Sequence, residues 1–356
     1  MKRCFWSLGC VWLFSLIGIA QQPPVWVSEQ TDETLARFEA WKGDDLVVVF
    51  PYVTDIHSRR VDLDLADVSD PKVHVTYALR AAEKFHADFF ADLGDIELEM
   101  VPKNNEEIQI RLASQEAIYQ NATLPVVFSM GNHDHGKGRV VSSADYGKRF
   151  NGLAAKRGIT LVLGPDSDYG YYDVPGKKCR VFFLNTSDDG YYGYSREQLQ
   201  FVADNLRMEE GWTAVVVQHF CVQTEIGHWK SLPDTKARRQ DLFLHLVEAF
   251  VAGQCGEEDG VRWDFTSNRN TRFAGCFFGD SHFDHHLFKN GVAYTISQGY
   301  GGISLKELPD DRAVVTPFNR SRTMLVDVVA IKPEKRQVKI FRIGAGGKDR
   351  DREYTY

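Results

Sequence analysis

Residues 273–286 read FAGCFFGDSHFDHH: an apolar strand runs into Gly279 and then Asp280, His282, Asp284, His285 and His286 crowd together. Carboxylates and imidazoles gathered at a strand end form a donor set suited to first-row transition metals. The arrangement recurs along the chain. LVVVFPYVT (46–54) is followed by Asp55 and His57, and DFFADLG (88–94) by Asp95. LPVVFSM (124–130) leads into Gly131, Asn132, His133 and Asp134, and TAVVVQ (213–218) into His219. In open α/β sheets ligands bind at the carboxyl ends of strands, which is where all of these donors fall. Singly each piece says little, since a Gly-Asp pair usually makes a turn and a lone histidine is commonly a satisfied core residue. The ordered set points to a metal site.

The elements that must hold these residues alternate. The strand at 46–54 precedes a helical pattern from about Val73 to His86, and the strand at 88–94 precedes a helix in NNEEIQIRLASQEAIYQ. Strand–helix–strand alternation predicts parallel pairing with helices packed outside. DYGYYDV and CRVFFLNT read as an antiparallel pair turned through Pro175-Gly176. Ser195 and Gln198 form a capping-box pattern that opens the helix SREQLQFVADNL. TAVVVQ is a buried strand and DLFLHLVEAFV a helix; from RFAGCFF onward, HHLFKNG, VAYTIS, TMLVDVVAI and QVKIFRI make strands dominate. The expectation is α/β with a second, more antiparallel sheet.

With 356 residues, 43% of them apolar, the chain has enough material for one large domain or two small ones. A net charge of −7 and the lack of a Lys/Arg run argue against non-specific nucleic-acid affinity. Residues 1–20 have the form of a signal peptide: Lys2 and Arg3, an apolar run, then Gly18-Ile19-Ala20 before Gln21. The apolar run is short for a membrane span, so export to a periplasm or the exterior is expected, with no span once the signal is removed. Residues 21–44 then form a lead-in, 45–345 the main domain and 346–356 a C-terminal tail. After signal removal Cys179, Cys221, Cys255 and Cys276 remain, enough for two disulfides in an oxidising compartment. Cys276, in mid-strand, also fits a small buried apolar residue. Asn121, Asn185 and Asn319 head glycosylation triplets that matter only in a eukaryotic host.

The order D-x-H (Asp55, His57), G-D (Asp95), G-N-H-D (131–134), strand-end His219 and G-D-x-H (279–282) resembles the calcineurin-like metallophosphoesterase superfamily over roughly residues 45–345. The strand pair ending in LNT, the helix that follows it, and the tail RIGAGGKDRDREYTY resemble its phage-type, bacterial secreted branch. The resemblance implies a two-sheet β-sandwich flanked by helices, in four αββα layers, with two metals at one sheet edge. On that pattern Asp55, His57, Asp95 and His282 hold one ion, and Asp95, Asn132, His219 and Asp280 the other, with Asp95 bridging. Mn, Fe or Zn suit this mixture best, with Mg or Ca as harder alternatives. Asp280 departs from the pattern, which has histidine there. His133 would protonate the leaving oxygen or stabilise phosphoryl charge. Asp284, His285 and His286 side with solvent or the next strand, and His228 with Lys230 with a surface loop.

The leading expectation is hydrolysis of phosphate mono- or diesters by a dinuclear centre acting on a phosphorylated small molecule or a diester. The rival is a degenerate member that binds metal or ligand with little hydrolase activity, and Asp280 is the feature favouring it. A nucleotidase of the same superfamily is a third reading, against which stands the short stretch after the last strands. No motif specifies an oligomeric state.

Overall fold

The structure is a computed structural model, and it describes residues 25–57, 71–96, 105–136, 138–156, 158–188, 191–221, 223, 238–268, 270–299 and 325–356. The signal-like segment 1–20, His228 with Lys230, and Asn319 lie outside the described residues.

Apolar residues that alternate along a strand must face two different partners. In β1 (Val48–Val53), Val49 and Val53 face helices, while Val48, Phe50 and Tyr52 face a second sheet. In β9 (Thr213–Gln218), Ala214 and Val216 likewise pack outward and Val215 and Val217 inward. Two sheets therefore stack through a shared apolar layer, in which Phe50 meets Phe277 edge to face at 5.5 Å between ring centres.

The first sheet sets β1, β2 (Phe90–Asp92) and β3 (Val126–Phe128) in parallel. Its other half is antiparallel: β15 (Leu325–Lys332), β16 (Gln337–Gly344) and β17 (Arg352–Thr355). Its outer face is covered by α1 (Val25–Lys42), α2 (Pro71–Lys84), α3 (Asn105–Tyr119) and α4 (Ser143–Lys156). The second sheet has a parallel centre of β6 (Cys179–Leu184), β9, β12 (Arg272–Phe278) and β14 (Val292–Ile296). It is flanked by antiparallel β4 (Val162–Leu163) and β5 (Gly170–Val174) on one side and β13 (His285–Lys289) on the other. The helices α5 (Arg196–Asn205) and α6 (Gln240–Ala252) cover its outer face. Two small hairpins also occur, β7 (Ser187–Asp188) with β8 (Tyr191–Tyr192) and β10 (Cys255–Glu258) with β11 (Val261–Asp264). The layers run αββα.

Several local expectations change in this setting. The late strands do not make a separate antiparallel sheet: both sheets are mixed, and β15 returns to pair with β1 in the first, carrying β16 and β17 beyond it. Residues 21–44 contain α1, whose Phe38 packs on Phe85 and Phe341, so the supposed lead-in is part of the core. The supposed tail supplies the edge strand β17. Ser195 caps α5 by accepting the Gln198 N–H at 3.0 Å, but the Gln198 side chain turns away to bond both backbone groups of Asn185. The capping box is therefore only half made. Asn185 is 2% exposed and donates to Asp168, so it offers nothing to a glycan. Among the described residues no disulfide forms; Cys179, Cys221 and Cys276 are buried and Cys255 is exposed. No described helix is long and apolar enough to cross a membrane.

Candidate metal centre

The donors named from the strand ends meet at one edge of the sandwich. Asp55 and His57 follow β1, Asp95 follows β2, and Asn132 and His133 follow β3. His219 follows β9, and Asp280 and His282 follow β12. Five of these eight have positive φ, between +51° and +62°: Asp55, His57, Asp95, Asp280 and His282. Residues other than glycine seldom take this left-handed conformation, and such strain concentrates at functional sites. Here it turns the chain sharply at the ends of β1, β2 and β12, so that these side chains point across the edge.

Glycines make the close approach. A Cβ on Gly131 would lie 2.1 Å from Asp95 Oδ1, and one on Gly279 would lie 1.8 Å from Thr54 Oγ1. Four turns are thus locked in two pairs. The Asp280 N–H donates to Asp55 Oδ2 at 2.8 Å, Thr54 donates to the same oxygen at 2.6 Å, and the His133 N–H donates to Asp95 Oδ1 at 2.8 Å.

The other carboxylate oxygens and ring nitrogens face inward. Asp95 Oδ2 lies 3.4 Å from His219 Nε2 and 3.9 Å from both His57 Nε2 and His133 Nε2. Asp55 Oδ1 lies 3.5 Å from His282 Nε2 and 3.8 Å from His57 Nε2. His219 Nε2 lies 3.0 Å from Asn132 Oδ1 and 3.7 Å from Asp280 Oδ1. The His57 and His282 rings stack with their Nε2 atoms 3.3 Å apart. All eight residues named from the sequence are therefore brought together.

This arrangement fits metal ions. Asp55 Oδ1 is buried and makes no hydrogen bond, a costly state for a carboxylate oxygen unless a cation meets it. His219 Nδ1 lies 2.6 Å from the Leu93 carbonyl, which only a ring N–H at that position can satisfy. A proton on Nε2 then points at the Asn132 oxygen 3.0 Å away. A cation could take that proton's place, held between the Nε2 lone pair and Asn132 Oδ1. Among the described residues, three donor triads are tight enough to hold an ion: Asp55–His57–His282, His57–Asp95–His133 and Asp55–Asp95–His219.

The charges respond to one another. Burial pushes the Asp55 carboxyl up, yet the imidazoles of His282 and His57 outweigh it and hold it at about 2. Burial likewise opposes ionisation of Asp95, but His219 drives it well below the usual carboxylate range. Burial works against a charged His219, and Asp95 more than reverses this, raising it well above the ordinary histidine value. Burial carries Asp280 up to about 7, aided by the charges of Asp55 and Asp95 and opposed by His219. Burial brings His282 down to about 4.

Two supporting residues carried no role in the sequence reading. Asp134 is buried and accepts the backbone N–H groups of Asp95 and Gly131, both at 2.9 Å. Its place in G-N-H-D was the only available signal. Asp284 is neither solvated nor a ligand: it is buried in an ion pair with Arg342. His285 and His286 belong to β13.

No family model matches the chain, and no curated protein matches it. Solved structures do. A dimetal phosphatase from Danio rerio superposes with a TM-score of 0.58 at 13% identity, covering 88% of this chain and 100% of that one. GAP50, the anchor in the inner membrane complex of Plasmodium, gives 0.46 at 10% identity, with 87% and 88% covered. A predicted phosphoesterase from Streptococcus pneumoniae gives 0.35 at 9% identity, with 87% and 99% covered. The fold is that of the dimetal phosphatase: mixed α/β, with two large mixed sheets flanked by helices.

Proposed function

We propose that this chain is a metal-dependent phosphoesterase that hydrolyses phosphate mono- or diesters at a dinuclear centre. The observation that carries the reading is the convergence on Asp95 Oδ2 of His57, His133 and His219, beside an Asp55 oxygen without a hydrogen bond. Asp55, His57, Asp95 and His282 would hold one ion, and Asp95, Asn132, His219 and Asp280 the other. When bound, a pair of divalent ions lowers the pKa of a water between them and offsets the charge of the attacking and leaving oxygens. Mn, Fe or Zn suit the imidazole-rich side, and the extra carboxylate of Asp280 brings Mg and Ca into range.

The protein's own groups supply the rest. Asp95 offers its Oδ2 to both halves of the site while its Oδ1 is fixed by the His133 N–H. His133 has a side chain 25% exposed, against 0% for His219, so of these two imidazoles it is the one that opens toward solvent and substrate. It would give a proton to the leaving alkoxide. The Leu93 carbonyl fixes the His219 tautomer, and Thr54 with the Asp280 N–H fixes the Asp55 carboxylate. The apolar signal-like segment supports export to a periplasm or the exterior.

The test is hydrolysis of p-nitrophenyl phosphate and bis-p-nitrophenyl phosphate by the metal-free protein reconstituted in turn with Mn²⁺, Zn²⁺, Fe²⁺, Mg²⁺ and Ca²⁺. Turnover with any of these supports the enzyme, and the monoester-to-diester ratio narrows its substrates. Absence of turnover with all five, in a protein that still binds metal, favours the degenerate binding protein instead. Asp280 in place of histidine is the observation on that side.

A further inference from the structure

The tail RIGAGGKDRDREYTY supplies no donor to the centre, yet its arginines converge on a carboxylate two residues beyond His282. Asp284 is 1% exposed. Arg342 grips it in a fork, Nη2 to Oδ1 at 2.8 Å and Nη1 to Oδ2 at 3.2 Å. Arg350 Nε donates to Oδ2 at 3.0 Å, and Arg352 Nη2 lies 3.3 Å from Oδ1. Arg342 is itself fully buried and turns its other edge to Asp327 on β15, at 2.5 and 2.9 Å. Asp284 Oδ1 also accepts the Gln298 N–H at 2.9 Å, just past β14. One carboxylate thus ties the segment that follows β12 to the C-terminal strands of the opposite sheet.

Burying such a cluster is a poor way to gain stability, because desolvation of the charges offsets most of their attraction. What forked arginine pairs provide is a fixed distance and angle. The loop at 279–284 has a use for both. Its Asp280 and His282 sit at φ +62° and +55°, a conformation that must be imposed by surroundings. Their partners Asp55 and His57 come from the first sheet, and His219 from the second.

We infer that Asp284 is a positioning residue for the metal centre: clamped by Arg342, Arg350 and Arg352, it sets the loop so that Asp280 and His282 meet Asp55, His57 and His219. The C-terminal strands then serve the site without touching substrate. The inference rests on the metal centre proposed above.

The experiment is calorimetric titration of the metal-free, full-length protein with Mn²⁺, comparing wild type with Asp284→Asn, Arg350→Gln and Arg37→Gln. Arg37 is the control, since it holds the same tail through Asp351 at 3.1 Å but makes no contact with Asp284. Asp284→Asn and Arg350→Gln should weaken Mn²⁺ binding at one site or both by roughly 10–100-fold, the usual effect of losing a group that orients metal ligands. Arg37→Gln should leave it unchanged, and metal-free Arg350→Gln should melt with Arg37→Gln. If Asp284→Asn does not fold, Arg350→Gln decides, because its side chain is 23% exposed and its loss leaves the Arg342 fork in place. Wild-type affinity in Arg350→Gln, or an equal loss in Arg37→Gln, overturns the positioning role. A wild-type protein that binds no Mn²⁺ overturns the metal centre itself, a separate result.

Discussion

Asp134 Oδ2 receives the backbone N–H groups of both Asp95 and Gly131 at 2.9 Å, joining the turns after β2 and β3 through one buried oxygen. Asp95 takes φ +57° on that support. An asparagine at position 134 keeps a carbonyl oxygen able to accept both N–H groups. Asp134→Asn should therefore be mild. Asp134→Ala strands two buried N–H groups at roughly 1–3 kcal/mol each and should loosen Asp95. Urea unfolding and metal content of the two variants check this: comparable losses in both would show that the shared oxygen does not matter.

His133→Ala should keep its metal while turnover falls by roughly 10²–10⁴, the range expected on losing a general acid. The loss should shrink as the leaving group becomes more acidic, because a good leaving group needs less protonation. A series of aryl phosphates reads this directly, and a uniform loss would assign His133 to phosphoryl charge instead.

Three carboxylates, Asp55, Asp95 and Asp280, facing two divalent ions leave a formal +1, where histidine at position 280 would leave +2. The lower charge should attract a phosphomonoester dianion less and favour harder cations at the second site. Asp280→His should shift metal preference toward Zn²⁺ and raise monoester hydrolysis relative to diester hydrolysis. Asp280→Ala should weaken one metal. Titrations and both rates decide the point, and two ions bound by Asp280→Ala at unchanged affinity would remove Asp280 from the ligand set.

His74 lies far from this chemistry, in α2, with Nε2 2.9 Å from the Leu325 carbonyl. Burial lowers its pKa from 6.5 to about 4. The unfolded chain therefore binds a proton that the folded chain refuses as pH drops from 6.5 to about 4. The contribution is fully present above 6.5 and is lost across that window, about 3 kcal/mol in all. Unfolding in urea with a chelator present, at pH 7 and pH 4.5, should show a smaller acid loss for His74→Gln than for wild type. Equal losses would remove His74 from the acid response.

The strand ends were legible because each is a local pattern: an apolar run, a glycine or tight turn, then a donor. Continuous apolar runs likewise announced β1, β9 and β12 before any partner was known, since a strand buried on both faces carries apolar residues at nearly every position. Helix α1 was not legible, because its apolar positions matter only once Phe341 and Phe85 are there to receive Phe38. β15 and β16 were legible as strands, but not the pairing of β15 with β1, which joins Val48 to Ile331.

Sequence alone, then, determined which residues carry donor side chains at the strand ends, for donor type and strand-end position are written in adjacent residues. Tertiary structure decided which of them meet and in what state. His57 and His282 stand 225 positions apart, and only the stacking of two sheets brings their Nε2 atoms within 3.3 Å. The His219 tautomer depends on a carbonyl 126 positions away, and Asp284 became a clamp only when Arg342 arrived from the opposite sheet. Such contacts follow from register and topology, which the whole chain settles cooperatively and no short stretch of it contains.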